Sequence, residues 1–365
     1  MTDTTATRPV IEARNLKTHF QGRTGIFTAL AGVTPPVARA LDGVDIAIRE
    51  KEIVGLVGES GCGKSTLGMS LVRMYQPTSG SITFREDDIT HVEGRKLKDY
   101  RRQAQIIFQD PYSSLNPRLT IGQIIEEPLV IHGIGSAAER RAKVERALDL
   151  VRIPAAENIH RFPSDLSGGQ RQRIAIARAL VLEPRFIVAD EPVSMLDVSI
   201  QASVLELLDE LSRELGLAVL YISHDIATVG YICKHVAVMY LGRIVEEGRA
   251  EDILAQPLHP YTQRLMAAIP RMDPGEAPER VELRGDVPSP MNVPPGCRFS
   301  SRCPYATELC RAVEPDLTDQ PGGQRVRCHI HDDSAAKARP ELERPQAGRI
   351  TETEDAGLLA QTTVG

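Results

Sequence analysis

Glu52-Ile53-Val54-Gly55-Leu56-Val57 runs directly into Gly58-Glu59-Ser60-Gly61-Cys62-Gly63-Lys64-Ser65, and Thr66 to Met74 follows with helical spacing. An apolar run, a glycine-rich octet and a helix, in that order, form the context of a phosphate-binding loop. The glycines let the backbone curl until successive amides face one point, which makes an anion nest. The helix N-terminus adds its partial positive charge. Lys64 supplies a full charge for the β- and γ-phosphates of a nucleotide, and the Ser65 hydroxyl can ligate Mg²⁺. A plain glycine turn before a helix is the competing reading; the Lys-Ser ending sets it aside. Cys62 reads as a small filler turned away from the nest, in preference to a thiolate stabilised by the helix N-terminus and Lys64.

Outward from this loop, residues 1–255 alternate short apolar runs with amphipathic stretches, the pattern of an α/β fold with a largely parallel sheet. Gln105 to Phe108, Phe186 to Ala189 and Leu217 to Ile222 are further strand candidates, each almost continuously apolar, as strands covered on both faces are. A helical stretch spans about 118–182, with Ala137 to Val151 and Arg171 to Leu182 as its clearest helices. The strand Phe186-Ile187-Val188-Ala189 ends in Asp190-Glu191. Beside a phosphate loop, the two carboxylates can divide the labour. Asp190 would hold Mg²⁺ through its water shell, and Glu191 would polarise an attacking water. Two solvated turn residues before Pro192 are the alternative. Leu166-Ser167-Gly168-Gly169-Gln170 then forms a second anion seat: a capping hydroxyl, two glycines and a helix dipole behind them.

Composition sets the outer limits. The 365 residues are 42% hydrophobic and 25% charged, too many for a single compact core. No apolar run approaches the ~20 residues of a membrane-spanning helix, and Met1 to Val10 does not resemble a secretory signal. A net charge of −6 argues against a dedicated nucleic-acid binder. The basic stretches Arg95–Arg102 and Arg140–Arg146 are interspersed with acids and read as solvated helix faces. No internal repeat is present. Between 270 and 296 seven residues are proline, which reads as a linker. Four of the six cysteines follow at 297, 303, 310 and 328. In a reducing compartment a disulfide framework is disfavoured. The spacing C-x₅-C-x₆-C-x₁₇-C matches no short zinc or ferredoxin pattern, although four thiols suit a tetrahedral S₄ site. His329 and His331 are spare ligands, and Cys233 reads as a small buried side chain.

The segment Leu166 to Gln170 with its following helix resembles the signature sequence of ABC-transporter ATPases. That resemblance implies a P-loop ATPase with a RecA-like core, an antiparallel β subdomain and a helical subdomain. It further implies a head-to-tail dimer, in which Ser167, Gly168, Gly169 and Gln170 of one subunit cover the γ-phosphate held by its partner's loop. By the same resemblance Gln109 is the Q-loop glutamine at the Mg²⁺ or water. Ser194-Met195-Leu196-Asp197 is the D-loop, with Asp197 at the dimer seam and Met195 in place of a commoner alanine. His224 is the switch histidine at the γ-phosphate. Phe20 is the candidate adenine-stacking ring, with Phe27 as its competitor.

Phe108 to Arg118, His259-Pro260-Tyr261-Thr262 and the four-cysteine region resemble the ATPase subunits of oligopeptide/dipeptide importers, the F-type subunit in particular. The implied organisation is an ATPase domain at 8–255 with a helical subdomain at about 118–182. An importer-type extension at 256–333 and a disordered tail at 334–365 complete it. ATP and Mg²⁺ are the implied cofactors, with a structural [4Fe–4S] cluster on Cys297, Cys303, Cys310 and Cys328 and zinc as the alternative. The implied partners are a paralogous second ATPase subunit, two transmembrane permease subunits and, indirectly, an extracellular solute-binding protein. The implied location is the cytoplasmic face of the plasma membrane, bound peripherally. Other ABC ATPases fit less well. Repair types insert a long coiled coil between the two seats, which here stand only 102 residues apart (65 to 167). Translation types carry two modules in one chain, and exporters lack the cysteine extension.

Overall fold

The computed structural model describes residues 8–22, 36–267 and 288–332. The expected tail at 334–365, Phe27 and most of the proline-rich segment lie outside the described residues.

The strands are β1 (Ile11–Gln21), β2 (Val37–Ile48), β3 (Ile53–Val57), β4 (Ser79–Phe84), β5 (Asp87–Asp88) and β6 (Ala104–Ile107). Further on come β7 (Phe186–Asp190), β8 (Ala218–Ser223), β9 (His235–Tyr240), β10 (Arg243–Arg249), β11 (Thr318–Asp319) and β12 (Arg325–Val326). They form a four-stranded antiparallel sheet, ordered β2-β1-β4-β5, and an eight-stranded sheet, ordered β11-β12-β10-β9-β3-β8-β7-β6. From β9 to β6 the larger sheet is parallel; from β9 to β11 it is antiparallel.

The parallel strands are apolar throughout because both faces are covered. On β3, Val54 and Leu56 enter one core with the antiparallel sheet, while Ile53 and Val57 enter another with the helical segment. Phe186 and Val188 of β7 alternate with Ile187 and Ala189 in the same way. Helix α1 (Lys64–Leu71) lies so close to the sheet that a β-carbon on Gly68 would stand 2.7 Å from Val188 Cγ1. It starts and stops earlier than the sequence pattern suggests. Gly63, at φ +111°, supplies the turn that begins it, a conformation costly to any residue with a β-carbon.

The expected helical stretch resolves into α2 (Ile121–His132), α3 (Ala137–Leu150) and α4 (Gly168–Leu180). Each opens on a reciprocal capping box: Thr120 with Gln123, Ser136 with Glu139, and Ser167 with Gln170. In these, both side chains satisfy amides that the first helical turn leaves free. The longest helix, α5 (Val198–Leu215), follows β7. The basic stretches sit on exposed helix faces, where Arg140, Arg141 and Lys143 pair with Glu126, Glu145 and Glu183.

Residues 288–332 are built into the larger sheet rather than appended to it. β12 pairs with β10, and β11 pairs with β12. Pro290 C=O also accepts a hydrogen bond from the Arg39 amide (3.0 Å). The extension thus continues the sheet that carries the phosphate loop.

Candidate nucleotide site

The strand order sets four chain exits side by side. Gly58 follows β3, His224 follows β8, Asp190 and Glu191 end β7, and Gln109 follows β6. Because these strands are parallel, all four exits share one sheet edge, where open α/β sheets bind their ligands.

The phosphate loop is tightly constrained. A β-carbon on Gly58 would lie 2.3 Å from Met239 C=O, and one on Gly63 would lie 2.4 Å from Ala40 C=O. Gly61, at φ +80°, has open space around it, so its requirement is conformational alone. Cys62 is buried, and burial pushes its thiol up despite Lys64 nearby. Its burial agrees with the filler reading. Lys64, only 6% exposed, donates from Nζ to the carbonyls of Gly58 (2.6 Å) and Glu59 (3.1 Å). Its ammonium is therefore held at the loop by acceptors that a polyphosphate can replace. Thr66 follows Ser65 in the first turn of α1.

Ser65 lies close enough to Asp190 to act on its carboxyl, which brings the predicted hydroxyl and carboxylate together. Burial raises the Asp190 carboxyl, and the Glu191 charge adds to this. The Ser65 hydroxyl and the Lys64 charge pull it back. Glu191 adopts φ +48°, unusual for a residue with a β-carbon. Its amide still donates to Ile222 C=O (2.9 Å), so the strand ladder continues while the side chain leaves it. Gln109 Nε2 donates to Glu191 Oε2 (2.9 Å), and His224 Nδ1 stands 3.0 Å from the same oxygen. Three residues drawn from three different strand ends thus meet at one carboxylate oxygen.

Phe20 lies on β1, partly exposed and edge-to-face with Tyr75 at 5.1 Å. It pairs across the sheet with Ala38, two residues before the Ala40 that packs on Gly63. The signature segment sits elsewhere. Ser167 and Gln170 close on each other in their capping box. A β-carbon on Gly169 would stand 2.5 Å from Ile200 Cγ2, and one on Gly168 would stand 3.5 Å from Leu196. Asp197 caps α5 by position, without a side-chain bond, among exposed Met195 and Val198. The segment after Gln109 is tied to the signature helix. The Arg171 guanidinium lies 4.2 Å from the Tyr112 ring centroid, and Arg178 Nη1 donates to Ser114 C=O (2.6 Å).

Residues 41–194 match the ABC transporter family, and residues 245–310 match the oligopeptide/dipeptide transporter C-terminal region. A peptide import ATP-binding protein of Brucella ovis is 49% identical over 320 residues, 88% of this chain and 97% of that protein. This chain is an ABC transporter ATPase of the oligopeptide/dipeptide importer family. The dipeptide transport ATP-binding protein DppF of Escherichia coli K12 is 44% identical to this ABC ATPase over 330 residues, 90% of this chain and 97% of DppF. Its cassette also resembles the dimeric post-hydrolysis structure of MJ0796 bound to ADP and Pi. The TM-score is 0.57 at 28% identity, over 66% of this chain and 98% of that one. No helix among the described residues is long and apolar enough to cross a membrane.

The four C-terminal cysteines of this ABC ATPase are close enough to perturb one another. Burial drives Cys328 up to about 12 and Cys297 up to about 11, with the neighbouring thiols adding to both. Cys233 is buried and isolated from this group. Among the described residues no group of three or more His, Cys, Asp or Glu side chains is arranged to hold a metal. One feature does favour an anionic occupant. Arg264 is buried beside Cys303, and its Nη1 has no hydrogen-bond partner.

Sequence reasoning missed the residues that meet the loop from behind. Glu59 N–H donates to Tyr261 Oη (2.7 Å), and Arg302 grips the Glu59 carboxylate. More than 200 residues separate these partners, so no local pattern could have joined them.

Proposed function

We propose that this chain is the ATP-hydrolysing subunit that powers peptide import through an ABC transporter. The convergence of Gln109, Glu191 and His224 on one oxygen beside the phosphate loop carries this reading. The amides of Gly58 to Ser65 and the Lys64 charge hold the triphosphate, Thr66 continues that seat, and Phe20 receives the adenine. Ser65, Asp190 and Gln109 are the Mg²⁺ set; the ion supplies charge neutralisation at the β- and γ-phosphates when bound. Glu191 accepts a proton from the attacking water, and His224 and Gln109 hold that carboxylate in place. Ser167 to Gln170 and Asp197 face the nucleotide of a second ATPase subunit, a paralogue, across a head-to-tail seam. The functional division is an ATPase unit at 8–255 and an extension at 256–333. Two permease subunits hold the pair at the cytoplasmic face of the membrane, and a solute-binding protein delivers peptide outside.

Phosphate release from Mg-ATP tests the catalytic part. Glu191→Gln keeps ATP binding but lowers kcat by about 10²–10⁴-fold, the usual worth of a general base. A near-normal rate would show that Glu191 is not the base.

We also propose that Cys297, Cys303, Cys310 and Cys328 hold a structural [4Fe–4S] cluster, with zinc as the alternative. Four mutually perturbing thiols and the partnerless Nη1 of Arg264 support it. Iron and acid-labile sulfide analysis of anaerobically purified protein tests it. Zinc without iron, or no metal at all, would overturn the cluster.

A further inference from the structure

We propose that Arg302 is a positioning residue of the nucleotide site, covering the Glu59 charge so that the phosphate loop can accept a polyanion. The proposal rests on the reading that Gly58–Ser65 holds ATP. Glu59 is the second residue of that loop, and a bare carboxylate there would repel a triphosphate. Its side chain is turned back into the protein instead. Arg302 Nη1 donates to Glu59 Oε2 (2.6 Å) and Nη2 donates to Oε1 (2.9 Å), a bidentate pair. Such pairs fix geometry as well as charge.

The guanidinium itself is held. Its side chain is 4% exposed, Nη1 reaches Tyr240 Oη (3.4 Å), and the rings of Tyr240 and Phe299 stand 5.9 Å away. Phe299 packs in turn against Tyr240, Tyr261 and His259. Both Phe299 and Arg302 lie between Cys297 and Cys303. Tyr261 takes the Glu59 amide at 2.7 Å, while the Glu59 carbonyl accepts from Lys64 Nζ at 3.1 Å. One loop residue is thus fixed at its carboxylate and amide by the extension, and at its carbonyl by the lysine that would meet the phosphates. The cysteine-bearing segment is part of the nucleotide site's frame, not only a lobe behind it.

Removing the Glu59 charge distinguishes this role from a merely structural one. Binding of a fluorescent N-methylanthraniloyl-ATP, with Mg²⁺ and the full chain, is the measurement. Arg302→Met exposes the Glu59 charge and weakens binding by about tenfold, the scale of one unpaired charge at a partly buried site. Adding Glu59→Gln removes that charge and returns affinity to within about threefold of the unmodified protein. Glu59→Gln alone frees the Arg302 charge beside the seat and tightens binding by about threefold. This conservative variant tests the proposal even if Arg302→Met does not fold. Unchanged binding in Arg302→Met, no recovery in the double variant, or weaker or unchanged binding in Glu59→Gln would each overturn it. If the unmodified protein binds no analogue, the nucleotide reading fails instead.

Discussion

His259 is 1% exposed, and its ring is committed to the neutral form. The Tyr261 amide donates to Nδ1 (3.0 Å), which requires a lone pair on that nitrogen. Burial drives the group down from 6.5 to about 3; the His331 charge adds to this, and a hydrogen bond with the Arg327 backbone opposes it. Between those values the unfolded chain takes up a proton that the folded chain refuses. Stability from this group is complete above pH 6.5 and is lost as pH falls from there towards 3. Between pH 7 and pH 5 the loss is about 2 kcal/mol, at ~1.4 kcal/mol per unit of pKa difference. Glu246 complicates the raw profile. It accepts the His259 amide (3.0 Å), and burial raises its own carboxyl, which titrates in the opposite sense. Comparison with His259→Gln cancels that contribution, because glutamine offers Tyr261 an acceptor and takes up no proton. Denaturant unfolding of both chains at pH 7 and pH 5 supplies the four midpoints. The stability gap between the two proteins should shift by about 2 kcal/mol in favour of the variant at pH 5. An equal gap at both pH values would refute the reasoning, for the ring would then be able to protonate in place.

Two further perturbations test the frame of the site. Gly169→Ala puts a β-carbon 2.5 Å from Ile200 Cγ2 and should cost about 1–3 kcal/mol in an unfolding titration. Ile200→Ala in the same chain should recover much of that loss, and no recovery would point to a cause other than this contact. Arg298→Met removes the Nη2 donor 2.6 Å from buried Asp42, together with the bond to Leu241 C=O. Burial pushes the Asp42 carboxyl up, but Arg298, His19 and Arg243 together outweigh it and hold the group below its ordinary range. Breaking such a pair from one side should cost about 3–5 kcal/mol. Adding Asp42→Asn should lessen the cost; unfolding midpoints in urea decide both cases.

The parts legible in the sequence are those whose physics is local. A strand covered on both faces must be apolar throughout, so β3, β7 and β8 announced themselves. A nest for phosphate needs glycines and a cation within eight residues, so Gly58 to Ser65 did too. Glu191 could be read from the acidic pair that ends an apolar run, while Gln109 and His224 could be named only through the family resemblance. Their meeting at one oxygen depends on the order β3-β8-β7-β6, which no single run contains. The start of α4 was in principle readable, since Ser167 and Gln170 have capping-box spacing, yet the periodic pattern suggested Arg171. The contacts of Arg302 and Tyr261 with Glu59 were not readable at all. Glu59 stands more than 200 residues away in sequence. The cysteines show the opposite limit. Their spacing matched no short ligand pattern, while the structure brings the thiols near one another.

The same contacts indicate how occupancy at the loop can move the helical segment. Gln109 Nε2 has a short reach, and it is occupied by Glu191 Oε2 at 2.9 Å. A ligand that takes either group must loosen this bond or re-aim it. Gln109 opens the segment that continues through Tyr112 and Ser114, and both are fastened to α4, through Arg171 and Arg178. A shift of the glutamine would therefore be felt at the helix whose N-terminus bears Ser167, Gly168 and Gly169. Ile200, packed close to Gly169, would pass it to α5 and so to Asp197. A ligand biases such a linkage only by the difference in its affinity for the two arrangements. The charge of a γ-phosphate beside Glu191, His224 and Lys64 is where that difference would arise. Loss of the γ-phosphate removes it, which would make the position of the signature helix a readout of which nucleotide the loop holds.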